Sequence, residues 1–203
     1  CMEPEKKITV EDVKYVLSSH YQGTIYDPYG GSGDGLQRGR YRSIGINRND
    51  FLSLIQMRPD QPEDVSVIQW IAFASNAFNV LVPFYADIDE TPDYLCNTTG
   101  EVSTDNFYWS GRMIAAMADA SYRSSVFHIE RYKEHVLAKG HELINRYDAL
   151  LSKETDAAKR KEIRHEANRA VAGMLKKETA DTLDKVLFEL SGQMKNAYAR
   201  SDA

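Results

Sequence analysis

The chain has 203 residues, enough to bury a core as one domain or two small ones. Hydrophobic residues make up 42% and charged residues 27%, an ordinary globular composition that excludes a disordered chain. The net charge of -5 leaves no general attraction for nucleic acid or an anionic membrane. The longest mostly apolar stretch, residues 65–85, is broken by Gln69, Ser75, Asn76, Asn79 and Pro83, so no spanning helix and no membrane partner are expected.

In chain order, Thr9 opens the first helix. It reads as an N-cap followed by Glu11 and Asp12, acids that suit the positive end of the helix dipole. Val10, Val13, Val16 and Leu17 mark one apolar face, and the helix should end near Ser19-His20. Residues 22–39 read as loop, with the densest turn signal at Asp27-Pro28-Tyr29-Gly30-Gly31-Ser32-Gly33-Asp34-Gly35. Such backbone has little to bury and should lie exposed.

Four strands are predicted next, over 41–48, 51–58, 66–74 and 79–86. Phe51, Ser53, Ile55 and Met57 alternate with Leu52, Leu54, Gln56 and Arg58, and both sets are largely apolar, which suits a strand covered on both faces. The breaks between the strands are short, so the neighbours should be antiparallel. Residues 92–104 are a loop. Helical periodicity then runs over about 105–118, 124–151, 155–176 and 179–198. Strands followed by helices predict an α+β fold, with residues 1–103 as a helix, loop and strand block and residues 104–203 as a helical region.

The residues that carry chemistry are few. The two cysteines, Cys1 and Cys96, make no disulfide framework and predict a reducing, cytoplasmic compartment. An N-terminal cysteine can act as a nucleophile with its own amine as base, but Cys1 leads through Met2-Glu3-Pro4-Glu5-Lys6-Lys7 into a helix. No strand holds it in place, so it is not expected to be catalytic. The five histidines, His20, His128, His135, His141 and His165, lack the i, i+4 spacing with which two rings grip one zinc, and no metal or cofactor is expected. The glycine-rich run 30–35 lacks the closing Lys-Ser/Thr of a phosphate loop. The segment His20-Tyr21-Gln22-Gly23-Thr24-Ile25-Tyr26-Asp27 stands out, because it packs a titratable ring, two phenols and a carboxylate into a helix-to-loop junction.

That segment resembles the His-Tyr-x-Gly-Thr-Pro-Tyr-Asp stretch of the bacterial cysteine dipeptidases, the family typified by the dipeptidases of lactic acid bacteria, with secernins as distant relatives. Ile25 replaces the usual proline. The resemblance runs on through Tyr41-Arg42-Ser43-Ile44-Gly45-Ile46-Asn47-Arg48, Ile55-Gln56-Met57-Arg58, Gln69-Trp70-Ile71-Ala72-Phe73, Ser75-Asn76-Ala77-Phe78-Asn79, Val82-Pro83-Phe84-Tyr85 and Asn106-Phe107-Tyr108-Trp109, covering about residues 1–122. It implies an αββα sandwich of the N-terminal-nucleophile hydrolase type, of which the strands here would be later ones.

The resemblance also implies that the catalytic cysteine lies in a preceding segment, so that this chain is a C-terminal portion, inactive alone, whose partners are dipeptide substrates and the missing N-terminal part. What this portion would supply is polar lining, with Arg42, His20, Asp27, Asn76 and Asn79 as the substrate-binding candidates. Arg42 is expected where the strand block begins, a suitable place for a cation that meets a dipeptide carboxylate. The alternative is a non-catalytic binding or oligomerisation module on the same fold, whose charged helical tail would mediate homo-oligomer contacts.

Overall fold

The structure, a computed structural model, describes residues 3–195; Cys1 lies outside the described residues. Helix α1 (Val10–Leu17) is followed by β1 (Phe51–Met57), a single 3₁₀ turn (Glu63–Val65), β2 (Val67–Phe73), β3 (Val82–Tyr85), and the short α2 (Asp93–Cys96). Three long helices complete the chain: α3 (Phe107–Ala120), α4 (Tyr122–Leu151) and α5 (Ala157–Ser191). Thr9 caps α1 as its sequence suggests, in a reciprocal capping box with Asp12.

The three strands form one antiparallel sheet in the order β1-β2-β3. Its register pairs Leu54 with Trp70 and Trp70 with Pro83. One face carries Leu52, Ile68, Trp70, Ala72 and Tyr85, all buried against Ile144, Tyr147 and Leu151 of α4 and Ala167 of α5. On the other face, Val82 and Phe84 pack on Phe107 and Ile114 of α3. The β1 end of that second face is open, with Phe51 and Ile55 each 56% exposed and Met57 77% exposed. The free edge of β1 has no strand partner among the described residues.

The opposite edge of the sheet is closed by a side chain. Asn168 of α5 accepts a hydrogen bond from Tyr85 N at 2.9 Å and donates one to Tyr85 O at 3.0 Å, so one carboxamide replaces the next strand. The phenol of Tyr85 donates to Asp148 of α4 at 2.8 Å, and Arg58 pairs with the same carboxylate. Gly140 lets α4 approach β3, since a Cβ there would stand 2.8 Å from Pro83 Cδ. Below the sheet, Arg164 bridges Asp64 at 2.6 Å and Asp87 at 2.9 Å, and Arg160 joins Asp64 at 2.7 Å.

Three expectations are corrected, the first being the loop over 92–104, within which α2 forms one short turn of helix. Residues 41–48 form turns and bends rather than a fourth strand. Their backbone bonds go elsewhere: Gly45 N donates to Ser19 O at 2.8 Å, Asn49 N to Ile46 O at 3.1 Å, and Asn49 Nδ2 to Ile44 O at 3.0 Å. Gly45 lies so close to the exit of α1 that a Cβ would fall 2.4 Å from Ser18 O. The segment is therefore pinned to the helix exit and cannot also pair with β1.

The last two predicted helices are one, α5. Thr179, the expected start of the last helix, lies within α5 with its hydroxyl 2.6 Å from the phenol of Tyr132, and no proline or glycine breaks the backbone around it. The helix ends at Ser191, before Gly192, and Tyr198 lies outside the described residues.

Asn168→Ala should strip Tyr85 of both edge hydrogen bonds in a buried setting. Unfolding in urea should show stability lowered by about 2–4 kcal/mol, the cost of two unsatisfied backbone groups. An unchanged midpoint would mean that water or another side chain replaces the amide.

Candidate functional site

The site is built where α1 stops. After Ser18 and Ser19 the chain turns at Tyr21, which adopts a left-handed conformation with φ of 63°. Thr24 fastens the turn: its hydroxyl donates to Tyr21 O at 2.7 Å and accepts from Tyr26 N at 3.2 Å. Gly39 N donates to Tyr26 O at 3.1 Å, which closes the loop on itself.

This folding drives Asp27 inward, under the helix exit. His20 Nδ1 donates to Asp27 Oδ1 at 3.0 Å, and the same oxygen accepts from Tyr29 N at 3.0 Å. Both side chains are buried, with His20 7% and Asp27 4% exposed. The His20 ring meets the edges of Tyr29 and Tyr122, at 5.1 and 6.2 Å between centroids, and those two phenols stack at 5.0 Å. Burial pushes the phenol of Tyr29 up to about 12, with Asp119 adding to it. Burial, with Asp27 and Glu130, likewise pushes Tyr122 up to about 12. Both phenols stay protonated around neutrality and remain hydrogen-bond donors.

In front of these rings lies a cleft of about 430 Å³ lined by Tyr29, Tyr41, Arg42, Asn47, Asp119 and Tyr122. Arg42 does not open a strand, contrary to expectation; it is an exposed residue of the pinned 41–48 segment. Neither Arg42 nor Asp119 forms an ion pair among the described residues. A smaller cavity of about 180 Å³ shares Asn47 and Asp119 with the cleft and is lined also by Ser75 and Arg112. The hydroxyl of Ser75 is buried there without a partner, whereas Arg112 is bound to Asp50 at 2.8 Å.

Asn76 and Asn79 do not line the cleft. They form the turn after β2, which begins with Ala74 in a left-handed conformation, φ 67°. Asn79 Nδ2 donates to Ala74 O at 2.8 Å and to Asn76 Oδ1 at 3.1 Å. Lys14 of α1 reaches into the turn, donating to Asn76 O at 2.9 Å and to Asn79 Oδ1. The fold therefore joins His20 to Asp27, sets Arg42 on the cleft they back, and gives the two asparagines to Lys14.

Asp119 and Tyr122 were not singled out in the sequence. One signal does mark Asp119: it is a carboxylate in the last turn of α3, where the dipole disfavours negative charge. Among the described residues no group of three or more His, Cys, Asp or Glu side chains is placed to hold a metal ion, and no helix is long and apolar enough to cross a membrane.

The sequence model of the family described as Peptidase family C69 matches residues 1–135. "Probable dipeptidase A" of Streptococcus pyogenes serotype M3 (strain SSI-1) is 43% identical over 203 residues, which is 100% of this chain and 42% of that protein. "Dipeptidase" of Bifidobacterium longum (strain NCC 2705) is 42% identical over 237 residues, covering 98% of this chain and 44% of its own length. "Dipeptidase A" of Lactobacillus helveticus is 32% identical over 194 residues, covering 94% of this chain and 40% of its own. The chain thus spans about two fifths of the length of these curated relatives.

Asp27→Ala leaves the buried His20 ring and the Tyr29 amide without their acceptor. The expected loss is about 2–4 kcal/mol in urea unfolding, with faster hydrogen exchange at the Tyr29 amide. Asp27→Asn keeps an acceptor oxygen and should lose clearly less. Unaltered exchange at Tyr29 in the alanine variant would show that the loop is held by other contacts.

Proposed function

Because the chain belongs to peptidase family C69, we propose that it is the C-terminal portion of a cytoplasmic dipeptidase whose cysteine nucleophile lies on polypeptide outside this chain. The observation that carries this reading is the cleft, which presents one cation and one anion, Arg42 and Asp119, neither of them in an ion pair among the described residues. A dipeptide is a zwitterion with its two charges a short, fixed distance apart. The planar guanidinium of Arg42 can hold the terminal carboxylate bidentately, and Asp119 can take the ammonium. The Tyr29 and Tyr122 rings wall the space between them.

Hydrolysis would then follow the acyl-enzyme route. The thiolate attacks the peptide carbonyl carbon, the tetrahedral oxyanion collapses, and the amine leaves with a proton. Water then cleaves the thioester and restores the thiol. The buried His20–Asp27 pair has a supporting task, holding Tyr29 and hence the cleft wall. Residues 1–103 carry the cleft's loop side, and residues 104–203 supply Asp119, Tyr122 and the helices beneath.

The sheet fits one half of an αββα sandwich. Helices α4 and α5 cover one of its faces and α3 covers the β3 end of the other, while the β1 end of that second face exposes Phe51, Ile55 and Met57. That open face is where the remaining polypeptide, or a second copy in a homo-oligomer, would pack.

The purified 203-residue chain should hydrolyse no dipeptide in a panel assay. Turnover that disappears on Cys1→Ala would overturn the assignment of the nucleophile to other polypeptide.

In the full-length protein, Arg42→Ala should lower kcat/KM by about 10–100-fold, as expected for loss of a charged hydrogen bond, with the melting temperature unchanged. Arg42→Lys should recover only part of the rate. Normal kinetics with a depressed melting temperature would make Arg42 a structural residue and remove it from the site.

A further inference from the structure

A second cavity, of about 390 Å³, opens between α1 and α4. It touches Tyr122, as the cleft does, but its polar wall is different: Lys14 and Ser18, one turn apart on α1, and Gln22 beyond the helix exit. The opposite wall includes Val126 and Leu137 of α4.

Most of the charged or titratable groups lining it have a side-chain hydrogen-bond partner. Glu11 is bound to His141 at 2.8 Å, Glu130 to Lys133 at 2.8 Å, and His20 to Asp27 at 3.0 Å. Lys14 has no carboxylate within ion-pair distance among the described residues and donates only to the neutral oxygens of Asn76 and Asn79. An ammonium has three N–H donors, so one remains unused. Ser18 Oγ is buried without a partner on the same helix face. Gln22 gives its carbonyl oxygen to His20 N at 2.9 Å, which leaves its NH₂ as a further donor. The α1 wall thus sets the donors of Lys14, Ser18 and Gln22 beside the Glu11 carboxylate, and the α4 wall sets Val126 and Leu137 beside the Glu130–Lys133 pair.

We propose that this cavity binds a small aliphatic monocarboxylate, its carboxylate on Lys14 Nζ and Ser18 Oγ and its tail against Val126 and Leu137. The site is separate from the peptide cleft and does not depend on hydrolysis. Burial, and then Lys133, hold the Lys14 ammonium well below the ordinary lysine range, with Glu130 partly offsetting them. Glu11, His20, Tyr15 and Tyr122 complete the titratable groups lining the cavity. A ligand carboxylate would supply the missing counter-charge and move Lys14 back up.

The test uses the 203-residue chain with ¹³Cε-labelled lysine, titrated with 3-methylbutanoate and, in parallel, with the neutral 3-methylbutanamide. The expected result is a saturable shift of the Lys14 signal, with its titration midpoint raised in the bound state. The amide and the Ser18→Ala variant should each bind roughly tenfold more weakly than acid with the wild type, and Lys14→Met should not bind. If Lys14→Met fails to fold, the acid–amide comparison and Ser18→Ala decide alone. An unmoved Lys14 signal, equal binding of acid and amide, or undiminished binding to a folded Lys14→Met would each overturn the site.

Discussion

A three-stranded sheet with apolar side chains on both faces must be covered, and the bonding of one residue, Tyr85, fastens this one to its helices. Its backbone N–H and C=O pair with the Asn168 carboxamide on α5, and its phenol donates to Asp148 on α4. Burial alone would let two long amphipathic helices slide along an apolar sheet face. A paired amide and a buried phenol set the translation of α5 and α4 against β3. The rest follows from that placement: the Arg58–Asp148 pair and the Asp64 bridges to Arg160 and Arg164.

The cleft is assembled from segments far apart in sequence. Arg42 comes from a segment held by the exit of α1, and Asp119 and Tyr122 come from the junction of α3 and α4. The buried His20–Asp27 pair connects them, because the carboxylate that fixes the ring also fixes the Tyr29 amide, and Tyr29 stacks on Tyr122. A buried histidine with a carboxylate suggests acid–base catalysis at first sight. Here the hydrogen bonds to the Asp27 carboxylate stay within the loop, from the His20 ring and the Tyr29 amide, while the ring also meets Tyr122 of α4, an arrangement that supports the cleft wall.

What could be read from the sequence was what local physics decides. The capping box at Thr9 marks α1, and alternation of side chains locates β1 and β2 within a residue or two. The antiparallel order follows from the short breaks. Residues 41–48 alternate as plausibly as their neighbours, but Gly45 finds its partner at Ser19, a tertiary contact that no period reveals. The helix start expected at Thr179 fails for a similar reason, since α5 runs through that residue and its hydroxyl meets Tyr132. Of the site, His20 and Asp27 were visible because they share one short segment. Asp119 was not, because its meaning depends on where α3 ends and on what faces it.

The β1 edge, which has no strand partner among the described residues, bears on how the polypeptide behaves in bulk. Phe51-Leu52-Ser53-Leu54-Ile55-Gln56-Met57 is seven residues with no charge, no proline and no glycine, the composition that favours in-register stacking of identical strands. Flanking charges normally discourage such stacking, and Asp50 and Arg58 occupy those places. Both are already matched, Asp50 by Arg112 and Arg58 by Asp148, so their repulsion toward a second molecule is largely spent. A cover over this strand would therefore guard the chain against edge-to-edge association through β1.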